Sequence, residues 1–344
     1  MGIIVLSIAI LPLLGVGGVQ LARAESPGPS PDRLTPRFRE TAKRLWYVYL
    51  GLTSAEVVLL WLGDMTLFEA VAHSLTTMST GGFSTEAGSA GAFSAYTQWV
   101  MLGFMFVAGA SFALHFRSLS RPVEYLRNAE FRLYGTILVA ASVVMVIGTW
   151  GGDVVGTIRN AAFTAVSITT TTGYATVDFG QWASALQIII VGLMFIGGMA
   201  GSTAGSVKTY RIAVLYRASR ADLRRIIHPH GVFVTRFGKH EVSDKVVESV
   251  QSFFLLYMFL FMTGTVLLGI IESGLGTGLD LVSSASAVAS SLGNIGPGLG
   301  EVGPTQTYAD IHDLSKWLLS GLMIVGRLEV FPVVLLLTRE LWRR

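Results

Sequence analysis

The stretch SITTTTGYATVDFGQW, residues 167–182, places four threonines, a glycine and a tyrosine between two long hydrophobic segments. Lipid-facing helices are rich in Leu, Ile, Val and Phe, and glycine is a poor helix former. Irregular polar backbone at membrane depth is tolerated only where it is buried in protein or lines a water-filled path. The stretch therefore predicts a loop that enters the membrane and turns back.

The composition indicates a membrane protein. Of the 344 residues, 51% are hydrophobic and only 14% are charged, against roughly 25% charged in a soluble domain. Several apolar runs reach the ~20 residues that cross a bilayer, so we expect an all-α membrane protein. The chain has no cysteine, which excludes disulfides and thiolate metal sites. It also lacks the H-E-x-x-H, P-loop and G-x-S-x-G motifs, so we expect no enzyme, no cofactor and no nucleic-acid partner.

Three units share one plan. Each consists of a long apolar helix, then a short amphiphilic segment ending in Thr and Gly, then a second long apolar helix. They cover residues 45–116, 133–216 and 247–341, with a cytoplasmic loop predicted at 217–245. The order is the same each time, which is typical of parallel repeats. Each short segment has about 13–15 helix-forming residues, or about 20 Å at 1.5 Å per residue. That length covers half a membrane, so we expect the short segments to be re-entrant.

Charge placement predicts the orientation of the units. Basic residues collect in the connections between them, for example in 117–132 and 208–245, whereas acidic residues such as Asp153, Asp178 and Glu301 lie inside the hairpins. The positive-inside rule then puts the connections in the cytoplasm and the short segments on the outer side.

The three short segments end in similar sequences, TGGF (80–83), TTGY (171–174) and NIGP (294–297). Converging backbone carbonyls can replace the water shell of an alkali cation, and glycine permits the backbone conformations that aim them inward. A site without carboxylates suits a monovalent ion better than calcium. Ordinary helix packing by small residues is the alternative. The predicted filter residues are Thr80, Gly81, Gly82, Thr172, Gly173, Asn294, Ile295 and Gly296.

Two further features lie deep in the predicted spans. The glycine-rich stretch GGMAGSTAGS (197–206) should break the closing helix of the second unit, and we interpret it as a flexible loop below the filter. Arg327 is a charged residue inside an apolar run, and such residues generally face the bundle interior or a cavity. Arg327 either reaches under the filter and opposes cation passage, or forms a structural pair with Glu329.

The loops, together with GGMAGSTAGSVKTYR (197–211) and GRLEVFPVVLLL (326–337), resemble the TrkH-type subunits of the Trk/Ktr/HKT potassium-transporter superfamily. The resemblance extends over essentially the whole chain. It implies parallel helix–pore loop–helix repeats, four to a polypeptide, around one central pore, each with a key glycine. By motif these glycines are Gly82, Gly173 and Gly296, with Gly81 as the competing candidate in the first loop. The segment 1–22 then resembles the closing helix of an incomplete first repeat.

The resemblance also implies a function, potassium uptake as the pore-forming subunit of a Trk-type system in the cell (inner) membrane. An intramembrane gate is implied at Gly197, Gly198, Gly201, Gly205 and Arg327. The implied partners are K⁺, a cytoplasmic nucleotide-binding TrkA-type regulatory subunit and a second copy of the chain. The basic segment 217–245 equally suits anionic lipid headgroups.

Two other functions remain open at this stage. A non-conducting membrane scaffold is compatible with a ring that lacks one loop. A secondary cation carrier built on discontinuous helices is the other, and Glu56 and Glu248, which lie near span positions, are its candidate coupling groups.

Overall fold

The computed structural model describes residues 38–337 except 232, 239 and 277, and side chains between 43 and 334. The predicted helix at 1–22 lies outside the described residues. Helices dominate, and the element order repeats three times.

The first unit contains the helices α1 (Phe38–Trp61), α2 (Leu67–Met78), α3 (Ala95–Ala108) and α4 (Phe112–Ser120), followed by the short α5 (Val123–Arg127). The second contains α6 (Ala129–Gly148), α7 (Val154–Thr169), α8 (Ser184–Met194) and α9 (Thr209–Ile227). The third contains α10 (Asp244–Leu275), α11 (Leu281–Gly293), α12 (Asp313–Arg327) and α13 (Phe331–Leu337).

Small elements complete the units. Short 3₁₀ turns follow the loops at Ser89–Ala92, Phe179–Gln181 and Gly300–Val302. Strand β1 (Ile196–Gly197) pairs in parallel with β2 (Val207–Lys208), and β3 (Arg236–Phe237) pairs antiparallel with β4 (His240–Glu241). The predicted cytoplasmic loop 217–245 is therefore partly structured, because α9 continues to Ile227 and the β3–β4 hairpin follows.

The short helices α2, α7 and α11, which we call the pore helices, have 12, 16 and 13 residues. At 1.5 Å per residue they are about 18–24 Å long. Each starts at a side-chain cap: Thr66 forms a capping box with Glu69, Asp153 accepts from the Gly156 amide, and Asp280 accepts from the Ser283 amide. Such caps satisfy amides that the first helical turn leaves unpaired. Local hydrogen bonds thus determine where each pore helix begins, at the outer end of the expected half-membrane length.

All three closing helices are broken, although the sequence predicted a break only in the second. In the first unit α3 and α4 meet at an angle of 99°. In the third, α12 ends at Arg327, and Glu329 and Val330 both have a φ of 59°. The predictions of continuous helices at 98–116 and 314–341 are therefore wrong.

The 197–206 loop compensates for the first of these breaks. The Phe112 amide donates to the Gly201 carbonyl (3.1 Å), and the Met199 amide donates to the Gly109 carbonyl (2.9 Å). A helix can break inside a membrane only when the freed backbone groups find such partners. The run around Gly109 reads as an uninterrupted apolar helix because these partners lie about ninety residues further along the chain.

Among the described helices, α6 and α10 are each long and apolar enough to cross a membrane alone, and the bent pair α3–α4 is a possible third. The pore helices lie inside this frame. Ten of the thirteen residues of α11 are buried, including five serines. The polar ends of the pore helices are therefore surrounded by protein.

A close approach between α11 and α12 provides a test of this packing. A Cβ added to Gly326 would lie 1.9 Å from the Leu292 carbonyl oxygen, whereas one added to Gly321, on the same helix, would meet no atom within 4 Å. We expect Gly326→Ala to lower the midpoint of thermal unfolding in detergent by several degrees. Gly321→Ala should leave it unchanged or raise it slightly, because alanine favours helix by about 0.5–1 kcal/mol. Equal midpoints for the two variants would contradict this packing.

Candidate ion-conduction site

The loops after the three pore helices share one backbone conformation. We call them loop 1 (80–83), loop 2 (171–174) and loop 3 (294–297). Each begins with a non-glycine residue in the left-handed region: Thr80 (φ 54°), Thr171 (φ 56°) and Asn294 (φ 56°). Two residues later each has a glycine with positive φ: Gly82 (64°), Gly173 (88°) and Gly296 (116°). This register pairs Gly82, rather than Gly81, with the glycines of the other two loops.

The loop amides are hydrogen-bonded back to the pore helices. In each loop, the carbonyl of the residue six positions before the glycine accepts a hydrogen bond from the amide of the residue directly before the glycine. These pairs are Thr76 and Gly81 (2.7 Å), Ser167 and Thr172 (2.9 Å), and Ser290 and Ile295 (2.9 Å). The amide of the glycine itself donates to the same pore-helix residue. In loops 1 and 2 it forms a longer bond to that residue's carbonyl (3.3 and 3.4 Å), and in loop 3 it donates to Ser290 Oγ (3.0 Å).

Sequence reasoning missed these anchoring residues. The signal is a hydroxyl side chain six positions before each glycine, and it becomes visible only once the register of loop 1 is known.

Most of the loop carbonyls, in contrast, accept no hydrogen bond from the described residues. Within the described residues, no hydrogen bond reaches the carbonyl oxygens of 80–82, 171–173 or 294–295. Buried carbonyls are almost always hydrogen-bonded in proteins, and these segments leave a row of them free. Such oxygens are the ligands that a partly dehydrated alkali cation requires.

The loops lie against one another in chain order. A Cβ added to Gly82 would lie 1.8 Å from the Thr172 carbonyl oxygen, and one added to Gly173 would lie 1.9 Å from the Ile295 carbonyl oxygen. At Gly296 an added Cβ would meet no atom within 4 Å. The predicted filter residues of loops 1 and 2 and of loops 2 and 3 are therefore brought together, and Gly296 keeps an open face.

The residue after each glycine plays a different part in each loop. Tyr174 is buried and its hydroxyl lies 2.6 Å from Thr76 Oγ1, so loop 2 is joined to the pore helix of the first unit. Phe83 is 77% exposed. Tyr174 therefore holds its loop against a neighbouring unit, whereas the exposed ring of Phe83 does not.

The outer entrance carries negative charge. Hydrogen bonds from the Thr66 amide and hydroxyl hold the pKa of Glu69 below its usual value. The carboxylate is therefore ionised at neutral pH, where it favours cations at the outer end of α2. Screening at physiological salt limits this effect to about 8 Å.

The 197–206 loop lies directly on the inner side of loops 1 and 2. Thr80 Oγ1 donates to the Thr203 carbonyl (2.8 Å), and the Gly205 amide donates to Thr171 Oγ1 (2.6 Å). In loop 3 the equivalent residue Asn294 donates to the Met323 carbonyl instead (3.1 Å). Two of the three residues at the inner ends of the loops are thus bonded to the 197–206 loop.

The predicted gate glycines allow close contact. A Cβ at Gly197, Gly198 or Gly205 would lie 2.2–2.5 Å from a backbone carbonyl oxygen, and Gly201 has a φ of 79°. We interpreted the glycines as a source of flexibility, but in this structure they let the 197–206 loop pack tightly below the filter. Their role in gating stays a prediction.

The charges beneath this loop differ from the predicted arrangement. Glu329 forms an ion pair with Arg211, whose guanidinium also lies 3.8 Å from the centre of the Phe253 ring. Among the described residues, Arg327 has no ion pair, so the alternative Arg327–Glu329 pair is wrong. The ammonium of the buried Lys208 donates to the Ala204 carbonyl of the 197–206 loop. Lys208 and Arg211 lie shortly after the glycine-rich stretch, and their contacts were not predicted from the sequence.

Known proteins share this architecture. The sequence matches the TrkH family, described as cation transport proteins, over residues 1–343. It is 41% identical to the Trk system potassium uptake protein TrkH of Vibrio parahaemolyticus and 39% identical to that of Escherichia coli K12; in each case all of this chain and 71% of the relative are covered. It is 35% identical to the Escherichia coli protein TrkG, over 70% of that protein.

A solved structure agrees with the sequence relationship. The crystal structure of the potassium transporter TrkH from Vibrio parahaemolyticus superposes with a TM-score of 0.83 at 38% identity, covering 99% of this chain and 70% of that one. This confirms the predicted fold class, an all-α membrane protein of helix–pore loop–helix repeats. With a match over nearly its whole length, the chain belongs to the TrkH family of cation transport proteins.

Proposed function

We propose that the chain forms the pore of a Trk-type potassium-uptake system in the cell (inner) membrane. The observation that carries this proposal is the row of free carbonyl oxygens on three loops in mutual contact. In this proposal those oxygens replace the water shell of K⁺. The absence of carboxylates from residues 80–83, 171–174 and 294–297 favours a monovalent ion.

The 197–206 loop is proposed as the gate. Its hydrogen bonds to Thr80 and Thr171 place it across the inner side of the loops. The ammonium of Lys208 donates to the Ala204 carbonyl of this loop, and the exposed Arg327 lies within electrostatic range of Lys208. In this proposal both positive charges oppose cation passage until they move. Opening then requires the loss of the two threonine contacts as well as a displacement of charge.

A cytoplasmic nucleotide-binding regulatory subunit of the TrkA type is the proposed partner on the inner side, and a second copy of the chain is the proposed partner in the membrane. The second half of α9 carries exposed arginines, and Arg217 donates to the Arg236 carbonyl of the β3–β4 hairpin. This contact fixes the hairpin against α9 and gives the basic cytoplasmic surface a defined shape to which a regulator can dock.

A coupled cation carrier is a second candidate, and Glu56 favours it. This residue is fully buried on α1, and within the described structure neither carboxyl oxygen has a hydrogen-bond partner. An acid inside a membrane bundle is a common proton or ion site in carriers. A Glu56→Gln variant that abolished concentrative uptake but kept passive K⁺ flux would favour the carrier.

The filter assignment is tested by Gly173→Ser in chain reconstituted into liposomes, with K⁺ and Na⁺ fluxes measured in parallel. The added Cβ would lie 1.9 Å from the Ile295 carbonyl oxygen and must displace it. We expect the K⁺ over Na⁺ preference to fall about tenfold, which corresponds to about 1.4 kcal/mol. Gly192→Ser is the matched control, because a Cβ there meets no atom within 4 Å.

An unchanged ion preference in Gly173→Ser, with the protein folded, would exclude loop 2 from the filter. A wild-type chain that carries no K⁺ would contradict the proposed function itself.

The gate assignment is tested by Arg327→Ala in the same liposomes. Removing this charge should raise K⁺ flux several-fold, because a cation crossing the inner side of the filter then meets less repulsion. Shortening the 197–206 loop should act in the same direction. Arg220→Ala, which removes an exposed arginine on α9, is the control and should leave the flux unchanged. Equal fluxes for wild type, Arg327→Ala and the shortened loop would refute the gate.

A further inference from the structure

Tyr308 contacts the filter from outside the three loops. It lies between the 3₁₀ turn Gly300–Val302 and α12, and its hydroxyl donates to the Gly296 carbonyl at 3.1 Å. Its ring is partly buried against the hydrophobic cluster of the third unit. Burial raises the pKa of Tyr308 to about 12, so the hydroxyl keeps its proton at neutral pH and remains a donor.

Loops 1 and 2 are held differently. In these two loops, the hydroxyl of the pore-helix residue six positions before the glycine donates to the carbonyl of the residue directly after the glycine. Thr76 Oγ1 reaches the Phe83 carbonyl (2.9 Å), and Ser167 Oγ reaches the Tyr174 carbonyl (2.6 Å). The glycine carbonyls of these two loops accept no hydrogen bond from the described residues.

In loop 3 the hydrogen bonds act on the glycine itself and not on the residue after it. Ser290 Oγ accepts the Gly296 amide at 3.0 Å, and Tyr308 donates to the carbonyl of the same residue. Gly296 is therefore held at its own amide and its own carbonyl. It is the only one of the three filter glycines whose carbonyl has a partner within the described structure.

Loop 3 also has fewer other restraints. The position beside Gly296 that a Cβ would occupy is open, whereas Gly82 and Gly173 each press on the next loop. The following residue is Pro297, which has no amide to donate and no aromatic ring to insert. Without the hydroxyl of Tyr308, the Gly296 carbonyl would have no hydrogen-bond partner among the described residues to fix its orientation.

We propose that Tyr308 is a positioning residue for ion selectivity, which holds the Gly296 carbonyl in the orientation that loop 3 presents to the permeating cation. This inference rests on the proposed potassium-conducting function. It assigns a selectivity role to a side chain in the outer connection that precedes α12.

The test compares K⁺ and Na⁺ fluxes in liposomes containing the full chain as wild type, Tyr308→Phe, Tyr96→Phe or Gly173→Ser. Tyr308→Phe keeps the ring and removes only the hydroxyl. Tyr96→Phe is the matched control, because Tyr96 donates to the Leu59 carbonyl (3.2 Å) between α3 and α1. We expect Tyr308→Phe to lower the K⁺ over Na⁺ preference about two- to tenfold, the range expected for one lost hydrogen bond. Its thermal midpoint should match that of Tyr96→Phe.

The outcomes separate the two claims. If Gly173→Ser changes the preference and Tyr308→Phe does not, the role of Tyr308 is refuted and the pore assignment stands. If Tyr308→Phe lowers the thermal midpoint and total flux at a constant K⁺ to Na⁺ ratio, Tyr308 is structural only and the inference is again refuted. If wild type carries no K⁺, the proposed function fails first. If Gly173→Ser leaves the preference unchanged, loop 2 is excluded from the filter, and the effect of Tyr308→Phe alone decides the role of Tyr308.

Discussion

The architecture depends on how backbone groups are satisfied at the turn of each re-entrant segment. An unpaired amide at membrane depth costs several kcal/mol. In each pore helix, the carbonyl of the residue six positions before the glycine therefore accepts a hydrogen bond from an amide of the loop. With the amides bonded back to the pore helices, the carbonyls of 80–82, 171–173 and 294–295 accept no hydrogen bond from the described residues. The left-handed residue and the positive-φ glycine of each loop are the conformations that accompany this pattern. The proposed cation site therefore depends on backbone hydrogen bonding and uses no charged side chain.

The proposed filter and the proposed gate form one hydrogen-bonded unit. Thr80 and Thr171 are the left-handed residues that begin loops 1 and 2, and their hydroxyls bond to the 197–206 loop. That loop in turn satisfies backbone groups freed by the break between α3 and α4. In the proposed mechanism, a movement of the 197–206 loop therefore changes the environment of loops 1 and 2. The third unit differs, because Asn294 bonds to α12 and Tyr308 supports Gly296.

The sequence predicted the repeated plan, the half-membrane helices, the filter loops and the break at 197–206, because these depend on local composition and spacing. It left open the choice between Gly81 and Gly82, since two adjacent glycines have identical local propensities and only the backbone conformation, with its positive φ at Gly82, separates them. The break after Arg327, where the amides of 328–330 bond to carbonyls of 324–326, was also missed. The break at Gly109 was missed because its compensating partners are distant in sequence. The pairing of Glu329 with Arg211 was missed for the same reason, as the two residues lie 118 positions apart.

The central claim is that carbonyl oxygens of the three loops bind the permeating ion. The most direct test is anomalous X-ray diffraction from crystals grown with Rb⁺ in place of K⁺. The account predicts an anomalous peak between the carbonyl oxygens of 80–82, 171–173 and 294–296, which disappears when Rb⁺ is replaced by Li⁺. Ordered loops without a Rb⁺ peak between them, or with the peak elsewhere in the protein, would contradict it.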